Sequence, residues 1–291
     1  MQIIAKDVYY KYDQIDSEKT NWILQQVNVT IPSNSFISVI GHTGSGKSTL
    51  AKLIKGLIQP SAGSIDIGEQ KKMNCDDKAK VNNKVGLVFQ YPEHQLFEMT
   101  VLDDIAFGPK QLGWSMETIS KEAEQVISAL GLKKEILQQS PFQLSGGEKR
   151  KAALAGVMIM DPEVFILDEP AAGLDPVSRR HFMQLIESWR KTAQKTVILI
   201  THHMEDALAY SDEIIVMDKG KVLYQLPPNQ LFLEHEAELI KIGLDIPDQV
   251  KLLHQLNRRL PEPIKVESLK EEHILEKIAE YYKKQEVTYG S

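Results

Sequence analysis

Short runs of β-branched and apolar residues punctuate the first quarter of this chain. Ile3 to Tyr10, Val27 to Ile31, Ser35 to Ile40 and Gly63 to Ile67 each have strand length and strand composition. Between the last two, residues 49–57 carry apolar side chains at helical spacing, and Pro60 to Gly63 reads as a turn. Lys71 to Asn83 is polar and charged, which predicts a surface loop or a weak helix. Val85 to Gln90 predicts another strand. From Val101 to Met160 the rhythm turns helical, with Ile119, Ala123, Val126, Ile127 and Leu130 on one face of a helix over Thr118 to Leu130. Strands at Val164 to Asp168, Val197 to Thr201 and Glu213 to Met217 then alternate with helices. That alternation implies a parallel sheet with helices on both faces, an α/β fold. Lys219 and Gly220 predict a hairpin turn into Val222 to Gln225.

Pro227 and Pro228 mark a boundary. Beyond them the chain is helix-like and rich in Glu, Lys and Leu, and Ile274, Ile278 and Tyr281 fall on one stripe of a helix over Glu271 to Tyr282. Two units are therefore expected, 1–226 and 227–291. A length of 291 residues accommodates one large domain with such an appendage.

Bulk properties narrow the classes. A core of this size needs no disulfide, and the one cysteine, Cys75, has no partner in the chain and reads as an inert loop residue. The net charge of -6 argues against nucleic acid or an anionic membrane surface as the main partner. The first residues show no long apolar core, so no signal peptide is expected. The apolar runs fall short of the ~20 residues that a membrane span needs, so any pore would belong to another subunit.

The chemistry starts at Gly41, His42, Thr43, Gly44, Ser45, Gly46, Lys47 and Ser48, which fit the pattern G-x-x-x-x-G-K-[ST] at every fixed position. Glycines let backbone N–H groups turn inward and cradle phosphate oxygens. Lys47 would reach the β- and γ-phosphates, and the Ser48 hydroxyl would hold Mg²⁺. A strand before the loop and a helix after it supply the context the motif needs. A chance Gly-rich turn of this form is expected in on the order of one per cent of chains this long. Further on, the apolar strand Val164 to Asp168 ends in two carboxylates. Asp168 would hold Mg²⁺ through water, and Glu169 would polarise an attacking water as general base. Strands ending in acidic residues are common, so this pair alone decides little. Ser145, Gly146, Gly147 and Glu148 open a helix over Glu148 to Met160 and make a second anion site or a plain helix cap.

Order and spacing together resemble the nucleotide-binding subunit of ABC transporters. On that resemblance Gly41 to Thr49 is the Walker A loop, Gln90 the Q-loop glutamine and Leu144 to Glu148 the signature. Asp168 and Glu169 are Walker B and the catalytic glutamate, Ala172 to Asp175 the D-loop, and His202 the switch histidine. Tyr12 falls where the family stacks an aromatic on adenine. The resemblance covers about three-quarters of the chain and implies a phosphate-loop NTPase (RecA-like) core, an antiparallel β subdomain and a helical signature subdomain. It implies ATP and Mg²⁺ as ligands, with Ser48, Gln90 and Asp168 at the metal. It also implies two subunits closed head to tail, Ser145 to Gly147 of one facing the γ-phosphate bound by the other. One departure is Glu148, where most members have Gln; both side chains accept a hydrogen bond.

Tyr91 to Phe97, followed by Thr100 to Pro109, is similar to the ATPases of energy-coupling factor (ECF) transporters. The loop from Gly41 to Gly46 and the stretch from Asp168 to Pro176 look like the second of their two paralogues. That resemblance implies an importer of a vitamin or metal ion, worked by two ATPase subunits, commonly paralogues, with a homodimer left open. It adds a transmembrane T component, a substrate-binding S component and a peripheral place at the cytoplasmic face of the cell membrane. It further implies a groove near Gln90 and Phe97 that receives a helix of the membrane partner, and a dimerisation role for residues 227–291. Plain packing of that region on the main domain is the competing reading.

An ABC-type ATPase acting on DNA or the ribosome is the alternative. Only about 95 residues separate Thr49 from Leu144, too few for a coiled-coil insertion, and a single ATPase domain is present. A GTPase would need Asn-Lys-x-Asp, and Asn83, Lys84, Val85 and Gly86 lack its acidic residue. His42 is expected to face solvent, and His94 and His203 to be ordinary surface or groove residues. No group of His, Cys and carboxylates has structural-metal spacing.

Overall fold

The computed structural model describes residues 1–12, 22–68, 73–74 and 83–289. Cys75 lies outside them, as does most of the segment 71–83. Four strands form an antiparallel sheet: β1 (Ile3–Tyr10), β2 (Leu24–Ile31), β4 (Ala62–Ile67) and β5 (Met73–Asn74), in the order β2-β1-β4-β5. The short β5 lies where the sequence predicts a loop or weak helix. It forms because Met73 and Asn74 pair with Ile65 and Ser64 of β4, contacts 8 and 10 residues apart that local polarity does not encode.

The second sheet has six strands in the order β10-β9-β3-β8-β7-β6. They are β3 (Phe36–Ile40), β6 (Val85–Val88), β7 (Val164–Asp168), β8 (Thr196–Ile200), β9 (Glu213–Asp218) and β10 (Lys221–Leu226). All pair in parallel except β10, which returns from β9 as a hairpin. Both central residues of its turn, Lys219 and Gly220, have positive φ, as a two-residue hairpin with right-handed strand twist requires. Residues of β3, β6 and β8 are buried throughout, which is why these strands read as continuous apolar runs.

Two apolar clusters flank this sheet. One is formed with α1 (Lys47–Lys55) and the antiparallel sheet, and includes Leu50, Leu53, Ile54 and Ile166. The other includes Phe36, Phe165 and Leu167, with α2 (Val101–Gln111), α3 (Met116–Ala129), α4 (Gly146–Met158) and α5 (Pro176–Ala193). Each fully buried Phe, Ile or Leu here contributes about 1.5–3 kcal/mol through removal from water. The helical layer of α2 to α4 carries the signature segment.

A third cluster settles how the C-terminal helices sit. Ile40, Ala207, Ile214 and Val216 of the main sheet and of α6 (Met204–Tyr210) pack with Leu231, Phe232, Leu239, Val250 and Ile274. The latter come from α7 (Pro228–Glu234), α8 (Glu236–Lys241), α9 (Asp248–Asn257) and α10 (Glu271–Tyr289). Ile278 and Tyr281 lie on the same cluster, so the apolar stripe of α10 faces inward. Residues after Pro227 thus share a core with the sheet. Leu275 and Tyr282 stay exposed on the other side.

Candidate functional site

The loop between β3 and α1 is held by close backbone packing. A Cβ on Gly41 would lie 2.3 Å from the Met217 carbonyl oxygen, so no other residue fits without moving β9. The β9–β10 turn supports the loop from below: the Gly220 N–H donates to the Ser45 carbonyl at 3.1 Å. The ammonium of Lys47 donates to the carbonyls of Gly41 (2.7 Å) and His42 (2.9 Å), so the loop wraps a buried cation. Burial pulls the Lys47 pKa below its ordinary value, against the opposing pull of Glu169 and Asp168. The first turn of α1 has no acidic residue and no side-chain cap. Its N–H groups, the dipole and Lys47 therefore converge on one anion site.

Opposite the loop stand the ends of β6, β7 and β8. Asp168 closes β7, and burial raises its pKa, with Glu169 adding to the rise and the Ser48 hydroxyl opposing it through a hydrogen bond. Glu169 sits at φ 49, in the left-handed region, and its N–H donates to the Ile200 carbonyl at 2.9 Å. This turn aims the side chain along the strand ends. Gln90 Nε2 donates to Glu169 Oε2 at 3.1 Å, and His202 Nδ1 lies 3.4 Å from the same oxygen. A hydroxyl, a carboxylate and an amide oxygen are hard donors that suit Mg²⁺. Among the described residues no group of three or more His, Cys, Asp or Glu could hold a metal. A cation at Ser48, Gln90 and Asp168 would thus complete its shell with substrate oxygens and water.

The signature segment is built as a closed cap. The Ser145 N–H (3.0 Å) and hydroxyl (2.7 Å) donate to the Glu148 carboxylate, and the Glu148 N–H donates back to Ser145 Oγ at 3.4 Å. This capping box starts α4 at Gly146, two residues earlier than the predicted Glu148. The Ser145 hydroxyl bond, then its backbone bond, hold the Glu148 pKa below its ordinary value. Nothing crowds Gly146 or Gly147. Among the described residues, no hydrogen bond or ion pair joins 145–148 to the phosphate loop. The helices that the two segments open, α4 and α1, pack into different apolar clusters.

Three elements complete the surroundings. Asp175 caps α5, accepting from the N–H groups of Val177 and Ser178 at 3.0 Å each. Tyr12 lies beyond the end of β1, 50% exposed, edge-on to Tyr10. Tyr10 pairs with Leu24, and Leu24 abuts Gly46, so this strand end leaves beside the phosphate loop. After Gln90, Glu93 forms a bidentate pair with Arg150 of α4, and Phe97, 61% exposed, rests edge-on against Phe107 of α2.

The ABC transporter family model matches residues 24–172. This chain belongs to that family. It is 46% identical to the energy-coupling factor transporter ATP-binding protein EcfA2 of Bacillus licheniformis, over 89% of this chain and 90% of the relative. Identity to the protein of the same name in Geobacillus kaustophilus is 42%, over 98% of each chain. The fold is similar to cbiO1 from Clostridium perfringens, described as part of the ABC transporter complex cbiONQ (TM-score 0.72, 31% identity, 87% of this chain and 98% of that one). It is also similar to a dimeric ATP-binding cassette in a post-hydrolysis state bound to ADP and Pi (TM-score 0.68, 27% identity, 78% and 98%). The chain is thus an ATP-binding ABC ATPase of the energy-coupling factor type.

Against the expectations for this ABC ATPase, several residues move. His42 does not simply face solvent: its Nε2 meets Asp218 at 2.8 Å and its Nδ1 the Thr43 carbonyl at 2.7 Å. Gln90 lies past β6, which ends at Val88, because Tyr91 adopts a left-handed φ of 53 and turns the chain away. His94 and His203 keep to the expectation of surface and groove residues: His94 is exposed and stacks on Tyr91, and His203 is half-buried against Arg179. Sequence reasoning missed Asp218, Gly220 and Arg179. The Lys219-Gly220 turn was legible, but its seat beneath the phosphate loop was not. Among the described residues, no helix is long and apolar enough to cross a membrane.

Proposed function

We propose that this chain hydrolyses ATP as one of two ATPase subunits that close head to tail beneath a T component and an S component, driving uptake of a vitamin or metal ion. The observation that carries the chemistry is the meeting of Gln90 and His202 on one oxygen of Glu169, opposite Lys47 and Ser48. The triphosphate binds along Gly41 to Thr49, its oxygens taking the Lys47 ammonium from the loop carbonyls. Tyr12 stacks on the base. Ser48, Asp168 and Gln90 would hold Mg²⁺, which neutralises phosphate charge. Glu169 accepts a proton from the attacking water as that water's oxygen bonds to the γ-phosphorus and the bond to ADP breaks. His202 holds Glu169 and the γ-phosphate in register. Ser145, Gly146 and Gly147 of one subunit serve the nucleotide of the other, which fits the packing of α4 and α1 into different apolar clusters.

A groove near Gln90 and Phe97 receives a helix of the T component, with the exposed Phe97 and Phe107 pair as its apolar anchor, which keeps the subunit peripheral at the cytoplasmic face of the membrane. Residues 227–291 form an appendage whose outer face, with Leu275 and Tyr282, serves dimerisation. The test of the chemistry is Glu169→Gln. It is expected to keep ATP binding and to lower turnover by ~10² or more, the scale of a lost general base. Near-normal hydrolysis would remove Glu169 from the mechanism.

A further inference from the structure

We infer that Arg179 is a positioning residue for hydrolysis: it holds the turn bearing His202 and His203 against Glu169 by bonding His203 Nδ1, with Asp206 as its buried counter-charge. The inference rests on the roles proposed above for Glu169 and His202.

Arg179 stands in the first turn of α5, and His203 is the N-cap residue of α6. Its Nη1 lies 2.8 Å from His203 Nδ1, and its Nε lies 3.5 Å from Asp206 Oδ2. A guanidinium only donates, so Nδ1 must present its lone pair and the imidazole proton must sit on Nε2. The His203 N–H is fixed in turn by Thr201 Oγ1 at 3.0 Å. Ring and backbone of His203 are both pinned. The His203 ring lies against the His202 ring, centroids 4.1 Å apart, and His202 Nδ1 reaches Glu169 at 3.4 Å. Contact therefore runs unbroken from Arg179 through both histidines to Glu169, around a small cavity that Ala171, Met183 and Thr201 help to line.

The charges facing His203 come from every element packed there: Arg179 of α5, Glu205 of α6, Glu169 after β7, and His202 beside it. Burial first, then Arg179, hold the His203 pKa below its ordinary value, which matches a neutral imidazole. An ion pair serving stability alone would need only Asp206. The second bond, to the neighbour of His202, ties α5 to the catalytic carboxylate. Without Arg179 the imidazole would take up a proton or turn, and His202 would lose the surface it rests on.

The test uses the full chain in its assembled transporter. Arg179→Ala is expected to lower kcat by ~10- to 100-fold, the range for lost supporting contacts, with KM for ATP within twofold. His203→Leu should match it, whereas His203→Gln, which keeps an acceptor for the guanidinium, should recover most of kcat. Nitrogen NMR of the labelled His203 ring should show an unprotonated Nδ1 in the parent and a mixed tautomer in Arg179→Ala. The inference is overturned if Arg179→Ala keeps kcat within twofold, or raises KM instead, or leaves the ring signals unchanged. If Arg179→Ala does not fold, equal kcat in His203→Leu and the parent overturns it. Glu169→Gln run alongside separates the two ideas. Slow hydrolysis there with full rates in Arg179→Ala and His203→Leu sinks this inference alone; full rates in Glu169→Gln sink the reading beneath it.

Discussion

Asp206 carries a measurable cost. It is 6% exposed on α6, and burial pushes its pKa from 3.8 up to about 6, with Glu205 adding to the rise and Arg179 opposing it. A rise of about 2 pH units corresponds to about 3 kcal/mol at 1.36 kcal/mol per unit. The sign follows from proton binding. Below pH 4 both native and unfolded chains hold the proton, and the stabilising difference is fully present. Between pH 4 and 6 the unfolded chain has released it and the native chain has not, so stability falls as pH rises. Above about pH 6 the loss is complete. Asp206→Asn removes this titration while keeping the shape. The assay is denaturant or thermal unfolding of parent and variant side by side from pH 4.5 to 8. The variant's stability relative to the parent should climb by about 2 kcal/mol across that span, since about a third of the loss already lies below pH 4.5, a relative shift in Tm of roughly 4 °C at about 2 °C per kcal/mol for a chain this long. A difference between the two proteins that stays constant with pH would refute the reasoning, because it would mean that Asp206 does not change its charge there.

Three further outcomes are expected. Lys47→Ala should weaken ATP binding itself, since it deletes a charge-assisted contact to phosphate; an unchanged titration curve would contradict that role. Tyr12→Ala should raise the Kd for ATP by roughly 5- to 150-fold, from about 1–3 kcal/mol of base stacking, and an unchanged Kd would leave Tyr12 as a neighbour of Tyr10 alone. Phe97→Asp should stop transport in reconstituted vesicles and weaken assembly with the membrane partner. Because Phe97 is largely exposed, ATP binding by the isolated subunit should survive; loss of folding would assign Phe97 to the core.

The sequence by itself determined the elements and the chemistry that live within one short stretch. β7 runs from Val164 to Asp168 as its apolar run ends, because a strand buried on both faces has no other composition open to it. The phosphate loop was legible because its function is a local backbone shape that only its glycines permit. Where a boundary slipped, at α4 and at β6, a side chain three residues on or a single left-handed residue decided it. Only the tertiary structure decided which distant groups meet. His42 meets Asp218 across 176 residues, Glu93 meets Arg150 across 57, and Arg179 meets His203 across 24. No spacing rule reaches that far, because each pair is joined by how separate elements pack: the first and last by neighbouring strand ends, Glu93 and Arg150 by the seating of α4 on the segment after β6. The same holds for the C-terminal helices. Their apolar stripe was visible along the chain, but that it would fold inward onto Ile40 and Val216 depended on which face of the sheet was left to cover.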